Sequence, residues 1–414
     1  MENNQVLRRA YASLVVALAI GCGSARADVV TEWNVVALNA TAIPANSVLQ
    51  SRSLAIVHAA IYDAVQAVER KGGHYAAQIN APTGASLEAA VAASAHTTLL
   101  RLAPAQRPML DAALQTSLAK IPDGQGKLDG MQIGTRIADE VLSLRNDDGA
   151  DAKGAFNAKA EPGYYQATPP HMMAPILPQW GNVKLFVLRE RTGVELKGPP
   201  NITGAVFARD FDEVKRLGSR KSVARNADQT AAAIFWTVQT AVPWNAAARA
   251  IAGVKNFSIA ENARMFAVLA FATADSQIVA FEAKYKHPFW RPITAIRAAG
   301  GLKDSRLKAD PTWEPLLGTP PHPEYPSAHA IFSGAAESVL RAFLGDDNLE
   351  VSVTVPPVLG VTRSYQRLSE ITADVENARV WGGIHFRSAS QDGVEVGRKI
   401  GTIVLHEFNK TRAH

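Results

Sequence analysis

The sequence predicts an all-α protein. Apolar residues recur three and four apart over long windows, alanine fills many of those windows, and runs alternating apolar with polar residues are scarce. Residues 51–69, SRSLAIVHAAIYDAVQAVE, show the first feature best, with Arg52, His58 and Asp63 set among the apolar positions. The same period runs through 86–102, 107–119, 131–145, 226–241 and 260–283, and each of these is expected to be a helix. The best strand signal is VSVTVPPV, 351–358, which reads equally well as an extended loop. The stretch 162–202 has no sustained period and is rich in proline and aromatics. Its apolar content predicts a packed loop near the mouth of a site rather than a disordered linker.

The first 27 residues form a separate unit. Arg8 and Arg9 precede the apolar run YASLVVALAIG, and Ala25-Arg26-Ala27 follows it. A basic start, a short apolar run and a small-x-small site predict a secretory signal peptide cleaved after Ala27, hence a periplasmic or extracellular protein. The apolar run is short for a membrane anchor, the arginine pair leaves a twin-arginine route open, and Cys22 is a minor candidate for lipid modification. Cleavage removes Arg8, Arg9 and Arg26 against Glu2, which lowers the net charge from +5 to +3. So small and diffuse an excess gives no nucleic-acid footprint. Cys22 is the only cysteine, so the mature chain has neither disulfides nor a zinc–cysteine site. The longest uncharged run, 229–248, contains Gln229, Thr237, Gln239, Pro243 and Asn245. It is too polar to face lipid, so no membrane span is expected in the mature chain.

Three stretches carry chemistry. In HPEYPSAHA, 322–330, Pro326 and Ser327 suit a helix start, the backbone N–H groups that follow (Ala328 first) point out of the helix end, and His329 stands in the same turn. Alone, this fits a capped helix with a half-buried histidine. In KYKHPFWRPITAIR, Lys284 and Arg291 are seven residues apart, which places them near one face if the helix runs through Pro288. Two cations beside Trp290 in an apolar setting call for an anion, whereas Lys286 and Arg297 read as a solvated face. In ENARVWGGIHFRSASQDG, Arg379, a Gly-Gly pair, His385 and Arg387 follow.

Together the spacings K-x6-R-P, P-S-A-H and A-R-x5-H resemble the three-part signature of the vanadium-dependent haloperoxidases and the type 2 phosphatidic acid phosphatase superfamily. AIVHAAIYDAV, FDEVKRLGS and FWTVQTAVPWNAAARAIA are similar to the bacterial haloperoxidase-like branch. The resemblance implies two bundle-like helical halves, taken here as 28–255 and a catalytic half 256–414. It implies that Lys284, Arg291 and Arg379 bind the oxygens of vanadate, or of phosphate as a competing oxyanion. Ser327 and the Ala328 N–H would add hydrogen bonds. His385 would be the ligand of vanadium or the nucleophile toward phosphorus, and His329 the general acid–base. Lys284 and His329 would activate hydrogen peroxide for halide oxidation. Three departures stand out: Ala328 replaces the usual glycine, Ala378 the serine before the arginine, and Ala389 the aspartate four residues after the second histidine, with Asp392 as a substitute if the helix continues. The last weighs more against phosphotransfer than against vanadate binding.

The expected function is therefore an exported vanadate-dependent haloperoxidase. The alternatives are a soluble acid phosphatase that hydrolyses phosphate monoesters through a phosphohistidine, and a non-catalytic oxyanion-binding protein. His322, at the position that distinguishes chloroperoxidase-type members with phenylalanine from algal bromoperoxidases with histidine, is expected with Trp290 to tune the halide, favouring bromide and iodide over chloride. If His322 titrates near neutral pH, His322→Phe should alter the pH profile. The other reading of His322, between Pro321 and Pro323, is an exposed loop histidine.

Overall fold

The computed structural model describes residues 28–410, apart from 44, 190, 192, 303 and 355–359. The expected signal peptide lies outside the described residues.

The all-α expectation holds. Helices α1 (Val29–Ala40), α2 (Ser47–Glu69), α3 (Leu87–Leu102), α4 (Arg107–Leu118) and α5 (Gln125–Arg145) build a first layer. After the long irregular stretch come α6 (Ala205–Leu217), α7 (Ala227–Phe235), α8 (Ala241–Lys255), α9 (Ile259–Lys286), α10 (Pro292–Ala298), α11 (Ala328–Leu344), α12 (Leu368–Trp381) and α13 (Arg387–Lys410). Local chemistry sets several starts. Asp28, Asn226 and Ser258 each close a capping box at the heads of α1, α7 and α9, satisfying backbone N–H groups that a helix start leaves free.

α9 is the axis of the molecule. It is buried along nearly its whole length and packs on α2 on one side and on α11 and α13 on the other. Among the described residues it is the one helix long and apolar enough to cross a membrane, but 94% of its apolar window is covered by the fold. The boundary placed after residue 255 falls in the short turn before α9, while one apolar core runs through both halves. α11 and α13 approach very closely. A Cβ on Gly397 would sit 2.1 Å from the Ile331 carbonyl oxygen, and one on Gly334 2.3 Å from that of Val394, so only hydrogen fits at either place.

Two buried carboxylates hold irregular chain against helices. Asp63 of α2 accepts from the N–H groups of Tyr75, Ala76 and Ala77 at 2.6, 2.9 and 2.8 Å. Asp275 of α9 does the same for Phe186, Val187 and Leu188 at 2.6, 3.0 and 2.8 Å. Burial pushes the Asp275 carboxyl up to about 6, against the lowering effect of those three donors.

Three readings of the elements need correction. Residues 351–354 of the expected strand segment lie in a strand, β1 (Asn348–Thr354), which pairs antiparallel with a second, unforeseen strand, β2 (Thr362–Arg367). The helix expected over 226–241 ends at Phe235, and Trp236–Thr240 turn before α8. Finally, α9 stops at Lys286, because Pro288 disfavours helix in the residue before it. Lys284 and Arg291 therefore do not share a helix face: Lys284 is in the last turn of α9, and Arg291 is the N-cap of α10.

Candidate oxyanion site

The site lies where the end of α9, the start of α10, the start of α11 and the end of α12 converge. Lys284, Arg291, Arg379 and His385 are all buried. The Arg291 guanidinium is spread over both later motifs. Its Nε donates to the His322 carbonyl at 2.9 Å and its Nη1 to the Ile384 carbonyl at 2.7 Å. Nη1 also lies 3.2 Å from His385 Nε2, and Nη2 lies 3.1 Å from His322 Nδ1. Arg379 donates from Nη1 to the Trp236 carbonyl at 2.7 Å, while its Nε is buried with no partner among the described residues. Lys284 directs its ammonium at the carbonyls of Pro323 (2.8 Å), Glu324 (3.1 Å) and Pro326. In this structure it fixes the 323–326 segment beside Arg291 and Arg379.

Electrostatics set this cluster apart. Burial first, then mutual repulsion, lowers Arg379 to about 9 and drives Lys284 well below its ordinary value. Burial also brings Arg291 down to about 10, against the opposing pull of Glu324. Three cations withdrawn from water with one neighbouring carboxylate are unfavourable alone, and an anion of multiple charge between them removes the penalty.

The head of α11 supplies the rest. Ser327 takes the N-cap position, with Ala328 the first helical residue and Pro326 outside the helix. The expected side-chain cap is absent. Ser327 Oγ makes no capping bond and has no partner among the described residues, although it is fully buried. The Ser327 N–H donates to the Ala389 carbonyl at 3.0 Å, and the Ala328 carbonyl accepts from Gln277 Nε2 at 2.9 Å, which fixes this helix end. His329 is half-buried. Its Nε2 is buried without a partner among the described residues. A hydroxyl, a guanidinium nitrogen and an imidazole nitrogen, all buried and all unbonded, are the donors and acceptors that an enclosed oxyanion needs. Vanadate fits this set of residues. Arg387 stands apart, bonded to Glu213 and Asn377.

Two halide-tuning residues take unexpected forms. His322 is buried, so the loop-histidine reading fails. Its ring is 5.3 Å from that of Phe281, and its Nδ1 faces Arg291 and the Pro323 carbonyl. Burial, with Lys284 and Arg291 alongside, holds it well below its ordinary value, so it is neutral near pH 7. The expectation that His322→Phe removes a group titrating near neutrality falls with that. Trp290 is buried and stacked on Phe207, with ring centroids 6.2 Å apart, and its Nε1 has no partner among the described residues.

Sequence reasoning missed several contributors. The turn Trp236–Thr240 supplies the Trp236 carbonyl to Arg379. The 162–202 segment, by contrast, was expected as a packed loop near the mouth of a site, and it bonds the site motifs: the Tyr165 N–H donates to the Pro288 carbonyl at 2.7 Å, the Trp290 N–H to Gly163 at 3.0 Å, and the Ile176 N–H to Pro321 at 2.9 Å. Glu324, in the middle of the HPEYPSAH stretch, is wholly buried, and its Oε1 lies 2.9 Å from both His385 Nδ1 and the Phe386 N–H. Asp392 lies on the continuing helix α13 but bonds the Tyr325 hydroxyl at 2.6 Å, so it is not the partner of His385.

The comparisons show that this fold is similar to that of the vanadium haloperoxidases. Residues 264–413 match the family described as the VCPO second helical-bundle domain. Vanadium chloroperoxidase of Curvularia inaequalis is 24% identical over 80% of this chain and 68% of its own length. A structure titled as the first bacterial vanadium-dependent iodoperoxidase superposes with a TM-score of 0.79 at 25% identity, covering 91% of this chain and 96% of its own. A holo-type bacterial vanadium-dependent chloroperoxidase shares the fold, with a TM-score of 0.74 at 17% identity over 90% of this chain and 95% of its own.

Proposed function

We propose that this protein is an exported, vanadate-dependent haloperoxidase that oxidises halide with hydrogen peroxide in the pocket of Lys284, Arg291, Ser327, His329, Arg379 and His385. The observation that carries the reading is three buried cations together with Ser327 Oγ, Arg379 Nε and His329 Nε2, all buried and without partners among the described residues. Arg291 and Arg379 hold the negative charge of the oxyanion, and Lys284 adds charge while keeping the 323–326 segment in place. Ser327 Oγ and the Ala328 N–H donate to its oxygens. His385 presents Nε2 as the ligand atom. Bound vanadate supplies a Lewis-acidic centre that takes up hydrogen peroxide and makes it reactive toward halide. His329 carries the proton. Its Nε2, without a partner among the described residues, is free to accept a proton and return it. The polar side chain of His322 beside Arg291 favours bromide and iodide, whose water is more easily removed than that of chloride.

A second reading gains support from one observation. The carboxylate that phosphotransfer through His385 requires is absent at Ala389 but present at Glu324, 2.9 Å from Nδ1. A phosphate monoesterase working through His385 in the same pocket is therefore chemically complete.

One experiment separates the readings: the purified full chain, stripped of oxyanion, assayed with and without orthovanadate. Peroxide-dependent oxidation of bromide and iodide that appears only with orthovanadate supports the peroxidase. Hydrolysis of p-nitrophenyl phosphate that orthovanadate inhibits, with no halide oxidation, replaces it by the phosphatase.

A further inference from the structure

We propose that Glu324 is the positioning residue of His385: its carboxylate fixes the imidazole tautomer so that the lone pair of Nε2, not that of Nδ1, faces the cations. The inference deepens the proposed function and rests on that reading for its oxyanion arm alone.

The geometry leaves one consistent assignment of protons. A carboxylate oxygen already accepting the Phe386 N–H at 2.9 Å faces His385 Nδ1 at the same distance, so Nδ1 carries the proton and donates it. On the other side of the ring, Nε2 lies 3.2 Å from Arg291 Nη1, a group that can only donate, so Nε2 carries the lone pair. The two contacts select the same tautomer. Glu324 and His385 are both fully enclosed, so no water competes for either bond. The carboxylate also reaches the ring from a different motif than the sequence suggests. The position four residues after His385 holds the buried methyl of Ala389, and the Asp392 carboxylate is engaged by Tyr325. Within the HPEYPSAH stretch, adjacent residues thus divide the work. Glu324 orients His385, Tyr325 ties the segment to α13, and the segment is held from beneath by Lys284 through three backbone carbonyls. Second-layer carboxylates of this kind fix ring orientation and raise the basicity of the liganding nitrogen.

Two readouts test this on the full chain. The first needs no oxyanion: 15N spectra of histidine-labelled protein, with His385 assigned from a His385→Gln variant. The expected result is a proton on Nδ1 and a bare Nε2 in the wild type, kept in Glu324→Gln, whose amide oxygen can still accept, and mixed with an Nε2-protonated share in Glu324→Ala, where Arg291 alone still favours the bare Nε2. A wild-type His385 protonated on Nε2, or a tautomer unchanged in Glu324→Ala, overturns the proposal. If Glu324→Ala does not fold, the wild-type and Glu324→Gln spectra still decide. The second readout is orthovanadate affinity. Glu324→Ala should bind about 10–100-fold more weakly. Simple electrostatics predicts the opposite sign, since removing a negative charge beside three cations would tighten an anion. Equal or tighter binding in Glu324→Ala overturns the positioning role. A wild type that binds no orthovanadate instead refutes the proposed function, and the tautomer still decides this inference.

Discussion

At the scale of single residues, chemistry concentrates where polar atoms are buried without partners. His329 is the clearest separable case, because its Nε2 has no partner among the described residues while, in the proposed reading, Arg291, Arg379 and Ser327 would hold the anion without it. His329→Ala should keep orthovanadate binding and lose turnover by roughly 10²–10⁴-fold. Loss of binding in a folded variant would make His329 a binding group instead. A second histidine marks stability rather than catalysis. His58 of α2 is fully buried, stacks on Phe266 at 5.3 Å and accepts at Nε2 from Asn34 at 3.0 Å. Burial lowers it to about 3, so the folded protein stays unprotonated there while the unfolded chain takes up a proton below its ordinary value of 6.5. The stability that neutral His58 contributes is therefore lost as pH falls from about 6.5 toward 3. The unfolding free energy of wild type relative to His58→Phe should drop by about 1.4 kcal/mol per pH unit between pH 6 and 4, measured by denaturant titration. A difference independent of pH would contradict the assignment. The cage residues were legible in the sequence through their spacing. Glu324 was not, because a glutamate between prolines carries no pattern until the fold brings His385, 61 residues on, against it.

At the scale of elements, the site depends on how closely helices approach. Ser327 and His329 stand at the head of α11, and α11 is positioned by α13 through Gly334 and Gly397. Gly397→Ala forces a methyl to 2.1 Å from the Ile331 carbonyl oxygen, so the helices must separate. The expected cost is about 1–3 kcal/mol of stability, read from thermal or denaturant unfolding, with weaker orthovanadate binding as the α11 head shifts. Unchanged stability would show that the pair has slack there. Helix positions followed from periodicity, but breaks did not. The turn Trp236–Thr240 interrupts an unbroken apolar period, since the Trp236 carbonyl goes to Arg379, and such a tertiary partner leaves no local signal. Strand β2, TRSYQR, was hidden because its polar residues face outward and its pairing with β1 is not written in its own sequence.

At the scale of the whole molecule, one apolar core centred on α9 joins a first layer of helices to the bundle that carries the pocket. The fold class was readable because alanine-rich 3.6-residue periodicity fills most of the chain. The strap 162–202 was readable as an irregular, packed loop near the mouth of a site, but its partners were not, since its three bonds to the site motifs join residues more than a hundred positions apart. Export belongs to this scale too. If residues 1–27 are removed as proposed, the secreted protein should begin at Asp28, which caps α1 and accepts from Asn262 at 2.8 Å, so the cut would spare the first structural contact. N-terminal sequencing checks this, and a chain starting at Met1 would contradict it. The central claim is that the buried cations form a cage for one tetrahedral oxyanion with His385 at its end. Diffraction from crystals of the full chain grown with orthovanadate tests it most directly. The account predicts a single oxyanion bonded to His385 Nε2, with Arg291, Arg379 and Ser327 on its oxygens. A pocket without such density, under conditions where solution binding is saturated, would contradict it.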